Sequence, residues 1–192
     1  MNHITELYNF GQGQDCLIIG GGCSLNDIDW QYIPDDLYVI ATNNHCTHRA
    51  DMIIYYDKDI RDHFNSVGID GTQTLIGFKH KKTLDHTCGR CDYYYTYNDM
   101  VFGDTGFHAL QFADKIFNFN NIYLAGYDYY TEGVTYHANE VVSDEDKIDR
   151  FKKWSIGKVL DKYSTIAWKN NIFNLNPDSM LDVFNFSVIV DN

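Results

Sequence analysis

A short uncharged run that breaks into consecutive glycines and then a capping residue leaves a chain few ways to fold. Asp15 to Leu25 reads Asp-Cys-Leu-Ile-Ile-Gly-Gly-Gly-Cys-Ser-Leu. Cys16 to Ile19, aliphatic and uncharged, has the character of a strand buried on both faces. Gly20, Gly21 and Gly22 permit positive φ and let backbone approach a ligand with no Cβ between. Ser24 is the expected cap of a following helix, whose N–H groups and dipole favour a phosphate. A glycine-rich βα turn without a ligand has the same letters, so the stretch alone leaves both readings open.

The 192 residues, 44% hydrophobic and 16% aromatic, suffice for one substantial core and are too few for two ordinary domains. Residues 1–192 are therefore read as a single domain. No apolar run is long enough for a transmembrane segment, and the opening Met-Asn-His-Ile-Thr-Glu lacks the basic and apolar regions of a signal peptide, so a soluble, cytoplasmic protein is expected. A net charge of −12, from 27 acidic and 15 basic residues, argues against a broad nucleic-acid surface or binding to an anionic membrane. The nearest thing to a basic patch, Lys79, Lys81 and Lys82 around His80, reads as a solvated loop. Five cysteines, an odd number, do not suggest a disulfide framework, and free thiols are expected. Cys88 and Cys91 have a metal-type spacing with His86 nearby, but no second pair completes a zinc site, and a loop with two thiols is favoured.

Along the chain, a short helical piece over Ile4 to Tyr8 precedes the first strand. A helix over Leu25 to Tyr32 stops near Pro34, since the residue before a proline avoids the α region. Strands are expected at Leu37 to Thr42, Met52 to Tyr56 and Gln73 to Gly77, with a helix over Lys58 to Phe64. Phe78 to Met100, with Tyr93, Tyr94, Tyr95 and Tyr97, shows no period and reads as an irregular insertion. Phe107, Leu110, Ala113, Ile116 and Phe117 have helical spacing behind Thr105 and Gly106. Asn121 to Ala125 is a strand ending in Gly126-Tyr127-Asp128-Tyr129-Tyr130. Ser143 and the acidic residues after it open a helix running to about Tyr163. A late strand over Ile172 to Leu175, a turn and cap at Asn176 to Ser179, a short helix over Met180 to Phe184 and an edge strand in Phe186 to Val190 complete the chain.

Strands alternating with helices at this spacing predict a Rossmann-like, doubly wound α/β fold: a mainly parallel sheet with helices on both faces. In such sheets ligands sit at the carboxyl ends of the strands. Gly20 to Ser24, Asn43, Asp57, Thr105, Gly106, Gly126 and Asp128 would converge there.

Taken together, these motifs resemble the bacterial sialyltransferases that build lipooligosaccharide outer cores, metal-independent inverting enzymes on a Rossmann-like fold. Gly20 to Leu25 followed by Ile28-Asp29 is similar to the family's Gly-Asn-Gly-Pro-Ser-Leu and Ile-Asp. Val39 to Asn43 matches its second strand, ending in an asparagine at the nucleotide. Asp104-Thr105-Gly106 matches its Thr-Ser-Gly, and Gly126 to Tyr130 its Gly-Ile-Asp-Phe-Tyr. Asn176 to Ser179 resembles its Cys-Pro-Asn-Ser turn. The most specific likeness is a tyrosine pair: Tyr130 and Tyr136 keep the family spacing of the tyrosines that hydrogen-bond the phosphate of departing CMP. Without a metal, a leaving nucleoside monophosphate must be stabilised by preorganised neutral donors, which suit an acidic protein.

The departures are specific too. Gly21 replaces an asparagine and Cys23 a proline, so one nucleotide contact is lost or comes from backbone. Phe102 stands about where the family has an arginine, which weakens the case for a carboxylated donor such as sialic acid. The lid between the second tyrosine and the catalytic histidine is mostly missing. His137, which follows Tyr136, is the candidate general base, ahead of His45 and His48, since an imidazole titrates near working pH.

The resemblance thus implies a sialyltransferase-like glycosyltransferase with no cofactor. Its substrates are a nucleotide sugar, CMP-linked by preference, and a glycan or other hydroxyl acceptor. Gly20, Gly21, Gly22, Ser24 and Asn43 would hold the nucleotide, Thr105 and Gly106 the sugar side, and Tyr130 and Tyr136 the leaving phosphate. The glycine loop and Gly-x-Asp motif are shared with archaeal pterin diphosphokinases and flagellin-modifying glycosyltransferases, so two alternatives stand. One is a metal-dependent diphosphokinase-like enzyme using Asp57 and Asp128; the other is a non-catalytic nucleotide-binding protein. The aromatics at Tyr93 to Tyr97 suit an acceptor or a homo-oligomer interface.

Overall fold

The computed structural model describes residues 2–45, 47–56, 60, 62–64, 72–79, 91–101, 103–129 and 156–189. Its strands are β1 (Asn2–His3), β2 (Cys16–Ile19), β3 (Tyr38–Thr42), β4 (Met52–Tyr55), β5 (Thr74–Phe78), β6 (Tyr93–Tyr95), β7 (Asn121–Ala125), β8 (Asn171–Asn174) and β9 (Asn185–Phe186). They form one sheet in the order β1-β6-β5-β4-β3-β2-β7-β8-β9. Every neighbouring pair is parallel. From β2 the chain adds β3 to β6 on one side, then returns to the other edge of β2 with β7 and continues to β9. That reversal is the topological switch point of a doubly wound sheet.

The period-2 alternation of a strand sorts the core. Cys16, Ile18, Ile40, Met52, Ile54 and Ile76 face one side, against Phe107, Leu110, Phe112 and Phe117. Leu17, Ile19 and Val39 face the other, against Leu25 and Leu37, and Ile53 and Leu75 pack there with Phe64. The first side is covered by α1 (Thr105–Phe112), which continues as a π-helical turn over Ala113–Phe117, and by α2 (Ile156–Thr165). Asp104 caps α1, its carboxylate accepting the Phe107 N–H, and Asn118 closes the π-turn at φ 62°. Phe107, fully buried, meets the Tyr163 ring edge-on at 4.6 Å, which packs α2 against α1. No helix among the described residues is long and apolar enough to cross a membrane.

Several expectations are corrected. Leu25 to Tyr32 is not one helix but two 3₁₀ turns, Cys23–Asp27 and Trp30–Tyr32. Ile28 is extended and the Asp29 carboxylate accepts from the Gln31 N–H, so the chain restarts there instead of continuing. Phe78 to Met100 contains β6, held between β5 and β1, and the N-terminal segment contributes β1. Tyr95 is fully buried, so of the proposed surface aromatics Tyr97 is the exposed one. Met180 to Phe184 forms turns, with the Met180 N–H on the Asp128 carbonyl. The tail strand is Asn185–Phe186 alone. Cys16 and Cys23 remain thiols, whereas Cys91 is disulfide-bonded.

Candidate active site

The loops that leave β2 and β7 are bonded to each other at the switch point. The Gly20 N–H donates to the Ala125 carbonyl at 2.7 Å and the Gly22 N–H to the Gly126 carbonyl at 2.8 Å. Asp128, 3% exposed, extends this seam: one carboxylate oxygen accepts the Ser24 N–H at 2.8 Å. The other accepts the Ser24 hydroxyl and, at 2.8 Å, the Asn176 amide. Ser24 therefore does not cap a helix; its hydroxyl is spent on Asp128, and it lies within the short 3₁₀ turn Cys23–Asp27. The helix-dipole phosphate site expected after the glycines is replaced by a loop of backbone N–H groups clamped from β7.

This clamp explains the glycines. Gly126 has φ +69°, a conformation that favours a residue without Cβ. At Gly22 φ is ordinary, but a Cβ would lie 2.6 Å from Asp128 Cγ and 2.7 Å from the Gly126 carbonyl oxygen. Gly22→Ala is thus expected to cost about 2 kcal/mol by overpacking. Urea unfolding would register this as a lower midpoint with the m-value retained.

Thr105 and Gly106 join the same edge through β7, because the Tyr127 hydroxyl donates to the Gly106 carbonyl at 2.9 Å. Asn43 ends β3 at φ 55°, with its N–H on the Ile54 carbonyl at 2.9 Å. Its side-chain oxygen is buried and has no partner among the described residues. Beside it, the Thr42 hydroxyl donates to the Ile19 carbonyl at 2.9 Å and fastens the β3 end to β2. Gly21 lies between the two clamped glycines in the chain. Asp57, Tyr130, Tyr136 and His137 lie outside the described residues.

Sequence reasoning missed a partly buried polar cluster at the start of α1. Asp104 accepts the Phe107 N–H at 2.7 Å on one oxygen and the Tyr129 hydroxyl at 3.0 Å on the other. The Tyr129 and Tyr163 hydroxyls pair at 2.7 Å. Burial raises the Asp104 pKa, opposed by the Phe107 and Tyr129 hydrogen bonds and by Lys162. Burial, with the Asp104 charge, also drives Tyr127, Tyr129 and Tyr163 well above the usual phenol range, so all three stay protonated donors. Further along, His108 is fully buried and neutral, its pKa pushed down to about 3 chiefly by burial and secondly by Lys162. The signal for these was present as Asp104 before a helix and as tyrosines in a strand-end motif. Only the long-range pairing gives them a role.

Solved structures similar to this chain include the monofunctional alpha-2,3-sialyltransferase Cst-I from Campylobacter jejuni. The two agree with a TM-score of 0.56 at 16% identity over 91% of this chain and 80% of that one. Another is the sialyltransferase CstII from the same organism in complex with cytidine-5'-monophosphate, with a TM-score of 0.51 at 14% identity over 91% and 84%. The chain shares their fold. No known family's profile and no curated protein sequence matches it. The likeness supports the sialyltransferase-like fold and lends no support to the pterin diphosphokinase kinship.

Proposed function

We propose that this protein is a sialyltransferase-like glycosyltransferase that takes a sugar from a nucleotide donor, CMP-linked, and passes it to an acceptor hydroxyl with inversion. One observation carries this reading. The loops after β2 and β7 are clamped together at the switch point, with the unpartnered Asn43 oxygen on the adjoining strand end, in a chain that shares its fold with an enzyme solved with CMP. Among the described residues the Asn43 oxygen has no donor, and an amino group or hydroxyl of a nucleotide would supply one.

In this reading the acceptor oxygen attacks the anomeric carbon while the bond from that carbon to the phosphate oxygen breaks, and CMP leaves with the electron pair. Tyr130 and Tyr136 donate hydrogen bonds to the departing phosphate, and His137 takes the acceptor proton. The two tyrosine roles rest on the spacing shared with the resembled family, and that of His137 on its being the only histidine after Tyr136. Thr105 and Gly106 border the sugar. The diphosphokinase alternative asks Asp128 to hold magnesium, but both its oxygens are already engaged by Ser24 and Asn176, which favours the transferase.

A thermal-shift series with CMP, CMP-sugars, ATP and GTP, each with EDTA or magnesium, tests this. At a hundredfold excess over Kd, CMP in EDTA is expected to add about 2.7 kcal/mol, or about 5–10 °C in a domain this size. Asn43→Ala should weaken that shift. Release of CMP from a CMP-sugar with an acceptor separates an enzyme from a mere binding protein. Stabilisation only by ATP or GTP with magnesium would favour the diphosphokinase, and no shift with any nucleotide would sink both enzymes.

A further inference from the structure

We propose that Asp104 is a positioning residue for the nucleotide edge, acting through Tyr129 to hold the loop after β2. For the ligand so positioned, the inference rests on the glycosyltransferase reading. Asp104 sits at the start of α1 with both oxygens committed, one to the Phe107 N–H and one to the Tyr129 hydroxyl. Because Tyr129 gives its proton to Asp104, its oxygen accepts from Tyr163 on α2. Tyr129 is thereby gripped from two helices. It needs that grip, since its backbone is at φ +53°, a conformation that a bulky L-residue avoids.

The residue joined to it by one peptide bond is Asp128, whose carboxylate holds Ser24. A continuous set of bonds therefore runs from α1 through Asp104, Tyr129 and Asp128 to Ser24. A second tie between α1 and the turn, Tyr127 to the Gly106 carbonyl, does not pass through Asp104. Asp104 and Tyr129 also stand where the motifs Thr-Ser-Gly and Gly-Ile-Asp-Phe-Tyr have threonine and phenylalanine. The two departures bond each other, so the tie belongs to this chain.

Amide hydrogen exchange of the whole protein tests the tie without a ligand. In Tyr129→Phe and Asp104→Asn, the Gly22 and Ser24 amides should exchange about tenfold faster relative to the β3 amides. Asn121→Ala, which removes the side-chain hydrogen bonds to Asp15 and Asn171 at the other end of β7, should leave that ratio unchanged. An unchanged ratio in the folded Tyr129→Phe or Asp104→Asn protein would overturn the positioning role, as would an equal rise throughout the sheet. Calorimetric titration with CMP supplies the second readout: Tyr129→Phe should bind about tenfold more weakly than the parent. Faster loop exchange with unchanged CMP affinity would overturn the claim that the tie serves the nucleotide edge. Failure of the parent protein to bind CMP would instead overturn the glycosyltransferase reading, while the exchange ratio still decides the tie.

Discussion

Asp128→Ala is expected to lower the melting temperature by about 10 °C and to remove stabilisation by CMP in the same variant. The side chain is buried, and it satisfies the Ser24 N–H, the Ser24 hydroxyl and the Asn176 amide at once. Truncation leaves those donors facing a dry gap. An unsatisfied buried donor costs about 1–3 kcal/mol, so the loss should reach about 3–4 kcal/mol after the hydroxyl rotates to another partner. Asp128→Asn keeps an acceptor for one donor and should fall between the two. Calorimetric melting with and without CMP separates the effects. A variant that melts like the parent would show that the seam between the β2, β7 and β8 loops is held by backbone alone.

Acid should destabilise the protein through His108. Gly103 donates its N–H to Nε2 at 3.1 Å, so the ring's own proton lies on Nδ1, toward the Tyr95 hydroxyl at 3.4 Å. Protonating Nε2 would break the first bond and bury a charge. The folded pKa of about 3 lies below the ordinary 6.5, so the contribution is fully present above pH 6.5 and is lost as pH falls toward 3. Over that window the unfolded chain binds one more proton, a loss on the order of 4 kcal/mol by the lower end. Asp104 acts in the opposite sense. Its raised pKa makes the folded chain bind its proton first, so above the usual carboxylate range its burial costs stability as pH rises. Urea unfolding at a series of pH values would read His108 directly: His108→Gln should flatten the wild-type slope by about one proton between pH 6.5 and 4. Identical slopes would mean that the ring gains access to water.

What could be read from the letters follows from burial. β2, β3 and β4 are short, mainly β-branched or aliphatic runs that lose both faces to the core, so composition alone marks them. β6 escaped notice because Tyr93 and Tyr94 are only half-buried and its place is set by pairing with β5 and β1. β1, two residues long, carries no pattern at all. At the site, the glycine loop and the Gly-x-Asp motif were legible as a place but not as a mechanism of support. Asp128 reads as a ligand in sequence; in the fold it is the fastener of Ser24. Asp104, Tyr129 and Tyr163 are distant in the chain and acquire meaning only when α1, the β7 turn and α2 meet.

The placement of β2 between β3 and β7 also governs how the protein is made. As the chain emerges in order, β2 finds β3 first, and its other edge stays open until residues 121–125 have been synthesised. Until then the Gly22 amide has no Gly126 carbonyl to meet, and Ser24 has no Asp128. The nascent first half therefore carries an apolar strand edge and an unclamped glycine loop together. In the proposed reading a nucleotide steadies only the finished fold, since it has nothing formed to hold on to while that edge is exposed.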